Sequence, residues 1–320
     1  MATTFNLYTT LYTIVSLSLL ILISFPSLAT PHTTCNSTLH PSFCTSTLPS
    51  DFSGTIHDHS RFFLRQSLST TKTFLQLISS YLKDPSSLPA STLLALQDCQ
   101  VLAQLNNDFL SNTLQTISYT DILSPLQVYD FQTMLSAILT NQQTCLDGLH
   151  EVTPYPSVTT GLLSPLSDGT KLYSISLSLF THGWVGDEAN RERQLTQKNI
   201  DNVNVKEKVV VNPYGSGNFT SINDAVAAAP NNTGTNNGYF VIYVVAGIYN
   251  EYVSIAKSKQ NLMIIGEGIN RTIITGNRSV VDGWTTFNSA TFAVVGKGFV
   301  AVNITFSQHC WIDQAPSCCC

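Results

Sequence analysis

Between Lys208 and Phe306, short apolar runs recur between glycine and asparagine turns, and this pattern restricts the fold more than any other stretch of the chain. The runs read VVVNPYGSGNF, YFVIYVVAGIYNEYVSI, NLMIIGEGINRTIITGN and SATFAVVGKGFVAVNITF. Each is too short for a helix, is rich in β-branched residues, and is closed by Gly or Asn, which tolerate the left-handed conformation of a tight turn. They read as strands centred near Ile242, Ile264, Val294 and Ile304. No helical period separates them, and no two-residue Asn-Gly signal is placed to fold them pairwise. Repeated short strands with irregular turns point to a parallel β-solenoid whose coils share one apolar column. Gly215-Ser216-Gly217 lacks the third glycine of a dinucleotide loop, Thr220 standing in its place, and so reads as a turn. The short helix INDAVAAAP that follows is expected to cover the open end of the column, as terminal caps of solenoids do.

From Arg61 to Phe180 the apolar period changes from two to about 3.6, the mark of helices. Leu64, Leu68, Leu75, Ile78 and Leu82 form one stripe; Leu96, Cys99, Leu102, Leu105 and Phe109 a second; Val128, Phe131, Leu135, Ile138, Cys145 and Leu149 a third; Leu166, Tyr173, Leu177 and Phe180 a weaker fourth. Punctuation at Asp84-Pro85, Ser124-Pro125 and Pro154-Tyr155-Pro156 implies an antiparallel, all-α four-helix bundle. Four cysteines belong to this half and allow three connectivities. Cys35 and Cys44 are close in sequence, and Cys99 and Cys145 both fall on apolar stripes, so the expected pairs are Cys35–Cys44 and Cys99–Cys145, with buried free thiols as the alternative. His57-x-His59 reads as part of a Ser- and Asp-rich loop with no third ligand, and no metal site is expected.

Only 11% of the 320 residues are charged and the net charge is -5, without the basic balance that phosphate neutralisation requires, so nucleic acid is excluded as a partner class. The apolar run Ile14 to Phe25, closed by the small residues of Ser27-Leu28-Ala29, reads as a secretory signal over residues 1–29, although no Lys or Arg precedes it. A membrane anchor needs about 20 consecutive apolar residues, and this run is shorter and broken by Ser16, Ser18 and Ser24. Secretion gives meaning to the sequons at Asn36, Asn218, Asn231, Asn270 and Asn277 as glycan acceptors, while Asn303, inside a strand pattern, reads as structural. Residues 185–207 turn polar and charged and read as a linker.

These segments resemble two known families. ALQDCQVLAQLNNDFLSNTL, MLSAILTNQQTCLDGL, KLYSISLSLF and Gly183-Trp184 resemble the plant invertase and pectin methylesterase inhibitor domain, over residues 30–184. That domain stands alone as an inhibitor or precedes an esterase as a pro-region. GSGNFTSINDAVAAAP, AGIYNEYVSI and GNRSVVDGWTTFNSATFAVVGKGFVAVNITF resemble the opening third of a plant pectin methylesterase, over residues 208–306. The resemblance implies the first coils of a right-handed parallel β-helix, hydrolysis of the methyl esters of homogalacturonan in the cell wall of the plant apoplast, and no metal or organic cofactor. It further implies that Thr286 contacts substrate, that the Arg191, Arg193 and Leu195 stretch is a degraded form of the processing site between pro-region and esterase, and that the bundle binds an esterase or invertase. An ordinary solvated linker fits that stretch equally well.

The family's chemistry needs one aspartate to attack the ester carbonyl, a second as acid and base, and glutamines on the oxyanion. The strings that hold them, QAVAL, QDTL and DFIFG, do not occur here, so no catalytic residue is assigned. Asp224, Glu251, Glu267, Asp282 and Asp313 read instead as turn, cap or surface residues. After Phe306 the chain reads SQHCWIDQAPSCCC, where the family continues with an NTAG turn and QAVAL. Permissible codons for Gln308 to Cys320, read one base later, spell NTAGLIKHQAVA. Residues 307–320 are therefore expected to be an aberrant, frame-shifted tail, and the chain a truncated, inactive precursor.

Overall fold

A computed structural model describes residues 31–151, 156–185, 204–234 and 238–309. The expected signal segment, Arg191, Arg193 and Leu195 of the linker, and the tail from residue 310 onward lie outside the described residues. The helices are α1 (Pro31–Cys35), α2 (Pro41–Thr47), α3 (Ile56–Tyr81), α4 (Ala90–Ile117), α5 (Pro125–Glu151), α6 (Pro156–Phe180) and α7 (Ile222–Ala228). The strands are β1 (Val205–Val211), β2 (Tyr239–Val244), β3 (Gly247–Asn250), β4 (Val253–Ile255), β5 (Leu262–Gly266), β6 (Thr272–Gly276), β7 (Phe292–Val294), β8 (Val300–Val302) and β9 (Thr305–Gln308). The chain is thus helical in its amino-terminal half and strand-rich after residue 204. Among the described residues no helix is long and apolar enough to cross a membrane.

Local chemistry sets the helix ends. Ser124 caps α5 with its hydroxyl accepting from the Gln127 amide at 3.3 Å, while Gln127 Oε1 accepts from the Ser124 amide at 3.0 Å, a reciprocal capping box with proline at the first helical position. At the other end of α4, Arg61 Nε donates to the terminal Ile117 carbonyl at 2.7 Å and the same guanidinium pairs with Asp121, so a cation closes the negative end of the helix dipole.

The residues cluster in two compact units. In the first, Phe63, Leu172, Ile175 and Leu179 pack with Cys35, Cys44 and Leu48 around the Cys35–Cys44 disulfide. A buried polar ladder crosses this core: Ser67 meets Ser176 at 2.9 Å and Thr71 meets the Tyr173 hydroxyl at 2.7 Å, each hydroxyl finding a partner out of water. Burial pushes the Tyr173 phenol up, against the pull of its bond to Thr71. In the second unit, Phe74, Ile78, Leu96, Leu102, Leu149, Leu162 and Leu166 surround the Cys99–Cys145 disulfide. Both expected bridges are present.

Four details depart from the sequence reading. On α3, Leu64 and Ile78 are buried as expected, but Leu68 and Leu75 are only half-buried and Phe63, Ser67, Thr71 and Phe74 are buried instead, because small hydroxyl residues that pair across the core hide there as readily as leucine. His57 and His59 stand in the first turn of α3 rather than in a loop, and each is spoken for by a carbonyl, Gly183 at 2.8 Å and Thr55 at 2.8 Å. Among the described residues no cluster of three His, Cys, Asp or Glu could hold a metal. Asn303 lies in an exposed turn between β8 and β9 at φ 54°, not within a strand, and Ile304 shares that turn. Val294, at the end of β7, is 43% exposed and does not mark the column.

The strands of the second unit form three sheets in which every pairing is parallel: β1-β2-β5-β8, β3-β6-β9 and β4-β7. The chain visits the sheets in one order, β2, β3, β4, then β5, β6, β7, then β8, β9, so each circuit adds one strand per sheet. Register stacks apolar on apolar: Ile242 pairs with Ile264, Ile264 with Ala301, and Tyr249 with Ile274. Inward-facing Val211, Ile242, Val244, Ile255, Ile264 and Ile274 make one continuous apolar cluster, and Ile222, Ala225 and Val226 of α7 pack into it. Ser221 starts α7 by accepting from the Asp224 amide at 3.1 Å, and Glu251 accepts from the Ile222 and Asn223 amides at 3.0 Å each, placing a carboxylate on the positive helix end. Gly217 is required here: a Cβ would stand 2.6 Å from the Val210 carbonyl, where the turn folds back on β1.

Candidate functional site

Thr286, the one residue the sequence marks for substrate contact, lies on the segment that leaves β6 at Gly276 and returns at β7. Its first part is a turn in which the Gly283 amide donates to Val280 O at 3.0 Å and Ser279 Oγ donates to Asp282 Oδ2 at 2.7 Å. Gly283 sits at φ +88°, a conformation that a side chain would strain. Asp282 is therefore a turn residue. Asp224 and Glu251 are likewise engaged at the start of α7, and Glu267 lies 3.5 Å from exposed Arg271. Asp313 lies outside the described residues.

The second part, Thr285 to Ser289, is anchored within the same compact unit by residues of α4 and α5. Thr285 donates to Asp98, Asn288 Nδ2 donates to Asp98 Oδ1 at 2.6 Å, and Thr286 Oγ1 donates to Glu151 Oε2 at 2.9 Å. Phe287 packs against the apolar cluster around the Cys99–Cys145 bridge. The Thr286 hydroxyl is thus occupied, and a substrate oxygen can take its proton only once Glu151 has let go. The reading from sequence did not mark Asp98, although its spacing to Leu102 and Leu105 puts it on the inward stripe beside Cys99, which is the one signal available.

Burial pushes the Asp98 carboxyl above the ordinary carboxylate range, against the opposing pull of its bonds to Thr285 and Asn288. A carboxyl whose folded pKa exceeds its unfolded value stabilises the fold fully below the unfolded value, and that contribution is lost as pH rises through the folded one. We expect the stability of the wild type relative to Asp98→Asn to decline as pH rises from the ordinary carboxylate range. Denaturation midpoints of both proteins between pH 3 and 7 check this, and a difference that does not move with pH contradicts it.

Of the aromatic residues along β2, β3 and the turn after it, Phe240 and Tyr249 are inside the column. The Tyr249 phenol, desolvated and near Glu251 and Glu267, is pushed up to about 12 and donates to Val245 O at 2.9 Å. Tyr239 and Tyr243 are half-buried, and Lys208 lies 4.7 Å from the Tyr243 ring. Tyr252 is half-buried and in contact with Arg278, itself stacked on Trp284; neither partner was marked by the sequence reading. The sequon asparagines Asn36, Asn218, Asn231, Asn270 and Asn277 are all exposed.

The sequence that forms the disulfide-stapled helices and then the parallel strands matches two family models in tandem. Residues 29–179 match the plant invertase/pectin methylesterase inhibitor family, and residues 208–315 match the pectinesterase family. The chain belongs to the plant pectinesterase/pectinesterase inhibitor proteins. It is 41% identical to probable pectinesterase/pectinesterase inhibitor 41 of Arabidopsis thaliana, over 86% of this chain and 56% of that protein. It is 42% identical to probable pectinesterase/pectinesterase inhibitor 20 of the same plant, over 86% and 55%. A solved pectin methylesterase from carrot is 49% identical over 30% of this chain and 29% of its own, with a TM-score of 0.29. The chain spans about half the length of the curated relatives it matches.

Proposed function

We propose that this chain is a secreted precursor of the pectin methylesterase type, directed to the cell wall, in which a helical inhibitor-like domain over residues 30–184 precedes the opening coils of a right-handed parallel β-helix over residues 208–306. The tandem of the two family matches carries this reading. Its substrate class is methyl-esterified homogalacturonan, its address the apoplast, and its mature form begins after residue 29 and carries glycans on the exposed asparagines. Arg191, Arg193 and Leu195 mark where the two parts are separated.

Ester hydrolysis by the aspartate mechanism needs a nucleophilic carboxylate, a second carboxylate and oxyanion donors within reach of one carbonyl. In the described part of the solenoid, Asp224, Glu251 and Asp282 are held by cap and turn bonds. The 320-residue chain is therefore expected to bind pectin through the Thr286 segment and to release no methanol. A coupled methanol assay on highly esterified pectin checks this; turnover in the ordinary enzymatic range defeats the proposal of inactivity.

A second reading is favoured by one observation: Asp98, beside Cys99 within α4, and Glu151, the last residue of α5, already grip the threonines of an esterase-type segment. The helical domain then acts as an inhibitor of an esterase or invertase. Adding the purified chain to an active plant pectin methylesterase should lower its rate, and an unchanged rate at micromolar chain counts against it.

A further inference from the structure

Arg278 follows β6, and its guanidinium carbon lies 3.7 Å from the ring centroid of Tyr252 and 3.7 Å from that of Trp284. The two rings are themselves fixed in place. Tyr252 donates its hydroxyl proton to Asn277 Oδ1 at 2.9 Å and accepts from the amides of Asn277 and Arg278 at 2.8 and 3.1 Å. The Arg278 carbonyl accepts from Gln308 Nε2 at 2.5 Å, and Trp284 is placed by its amide bond to Ser279 O at 3.3 Å. Yet among the described residues no carboxylate pairs with the guanidinium, and Asp282, the nearest acid in sequence, is taken by the Ser279 hydroxyl. Trp284 is 39% exposed and Val281, three residues earlier, 55%.

A guanidinium stacked between two aromatic rings keeps its N–H groups free only in its own plane, where they form the fork that fits a carboxylate. An exposed indole next to that fork offers the apolar face on which the C–H side of a sugar ring packs. We propose that Tyr252, Arg278 and Trp284 form a subsite for the free carboxylate of a uronic acid residue, so that this chain grips the de-esterified product rather than the ester. The assignment rests on the pectin reading above and names the chemical form that the polymer must have at this point. A methyl ester carries no charge and offers the fork no anionic oxygen pair, so it binds here more weakly. The subsite thereby holds the polymer along stretches that have already lost their methyl groups.

The test uses the full 320-residue chain and two oligogalacturonates of equal length, one unesterified and one fully methyl-esterified, with affinity read by calorimetry and tryptophan fluorescence. The unesterified oligomer should bind at least tenfold more tightly. Arg278→Gln should abolish that preference, Arg278→Lys should retain part of it because the charge stays while the fork is lost, and Trp284→Ala should weaken both oligomers. Circular dichroism on each variant verifies folding, and the lysine variant, which keeps charge and bulk, decides the matter if the others unfold. Equal affinity for the two oligomers, an undiminished preference in Arg278→Gln, or equal binding of a sulfated polysaccharide overturns the subsite while pectin binding itself stands. If the folded chain binds neither oligomer nor pectin, the pectin reading falls with it.

Discussion

Replacing Cys99 and Cys145 together by alanine is expected to lower the unfolding free energy by about 2–4 kcal/mol, among the largest effects of any change in the helical half. The bridge joins α4 to α5 across a Cα separation of 4.8 Å and closes a loop of 46 residues. Chain-entropy reasoning puts a loop of that length near 4 kcal/mol, because the cross-link removes most of the unfolded chain's freedom to separate its ends. Both cysteines are also buried among Phe74, Leu96, Leu102 and Leu149, so the alanines lose packing as well. The bridge further fixes the helix segments from which Asp98 and Glu151 reach Thr285 and Thr286. The Cys35–Cys44 pair, nine residues apart, closes a much shorter loop and should cost less when removed. Urea denaturation of the oxidised wild type and both double variants measures the difference. A Cys99/Cys145 variant within about 1 kcal/mol of wild type would mean that the packed helices hold this geometry without the staple.

The strands and helices were legible because each carries its own period, the Cys99–Cys145 pair because apolar stripes place both partners inward, and the Cys35–Cys44 pair because its partners are close in sequence. The side-chain grouping around Arg278 was not. Tyr252 meets Arg278 because β3 and β6 stack with Asn250 opposite Thr275, a register no local pattern announces. Circuit length also varies: Phe240 pairs with Leu262, but Val253 pairs only with Phe292, so the coils have no fixed repeat from which to count. Loops of differing length between strands absorb that variation, and they are where Thr286, Trp284 and Arg278 reside. Asp98 was hidden for a different reason. An acid on a helix is ordinarily a solvated residue, and only the docking of Thr285 and Asn288 reveals what its carboxylate holds.

Ile264→Ala should remove about 2–5 kcal/mol from the strand region, the usual cost of emptying a fully buried branched side chain in a packed core. Ile264 has no exposed surface, and its strand neighbours in register are Ile242 on one side and Ala301 on the other. In a stacked column each inward side chain touches the circuits above and below it, so a cavity in the middle weakens two interfaces at once. Alanine at 301 already limits how much apolar surface can move in to fill the gap. The next residue provides the control: Ile265 points to the opposite face of β5 and is only half-buried, so Ile265→Ala should cost less than about 1 kcal/mol. Amide hydrogen exchange in β2, β5 and β8 distinguishes the two, since protection in all three strands should fall in Ile264→Ala and persist in Ile265→Ala. Equal losses from both substitutions would mean that the strands form a sheet without a shared interior, and the solenoid reading of residues 208–306 would go with it.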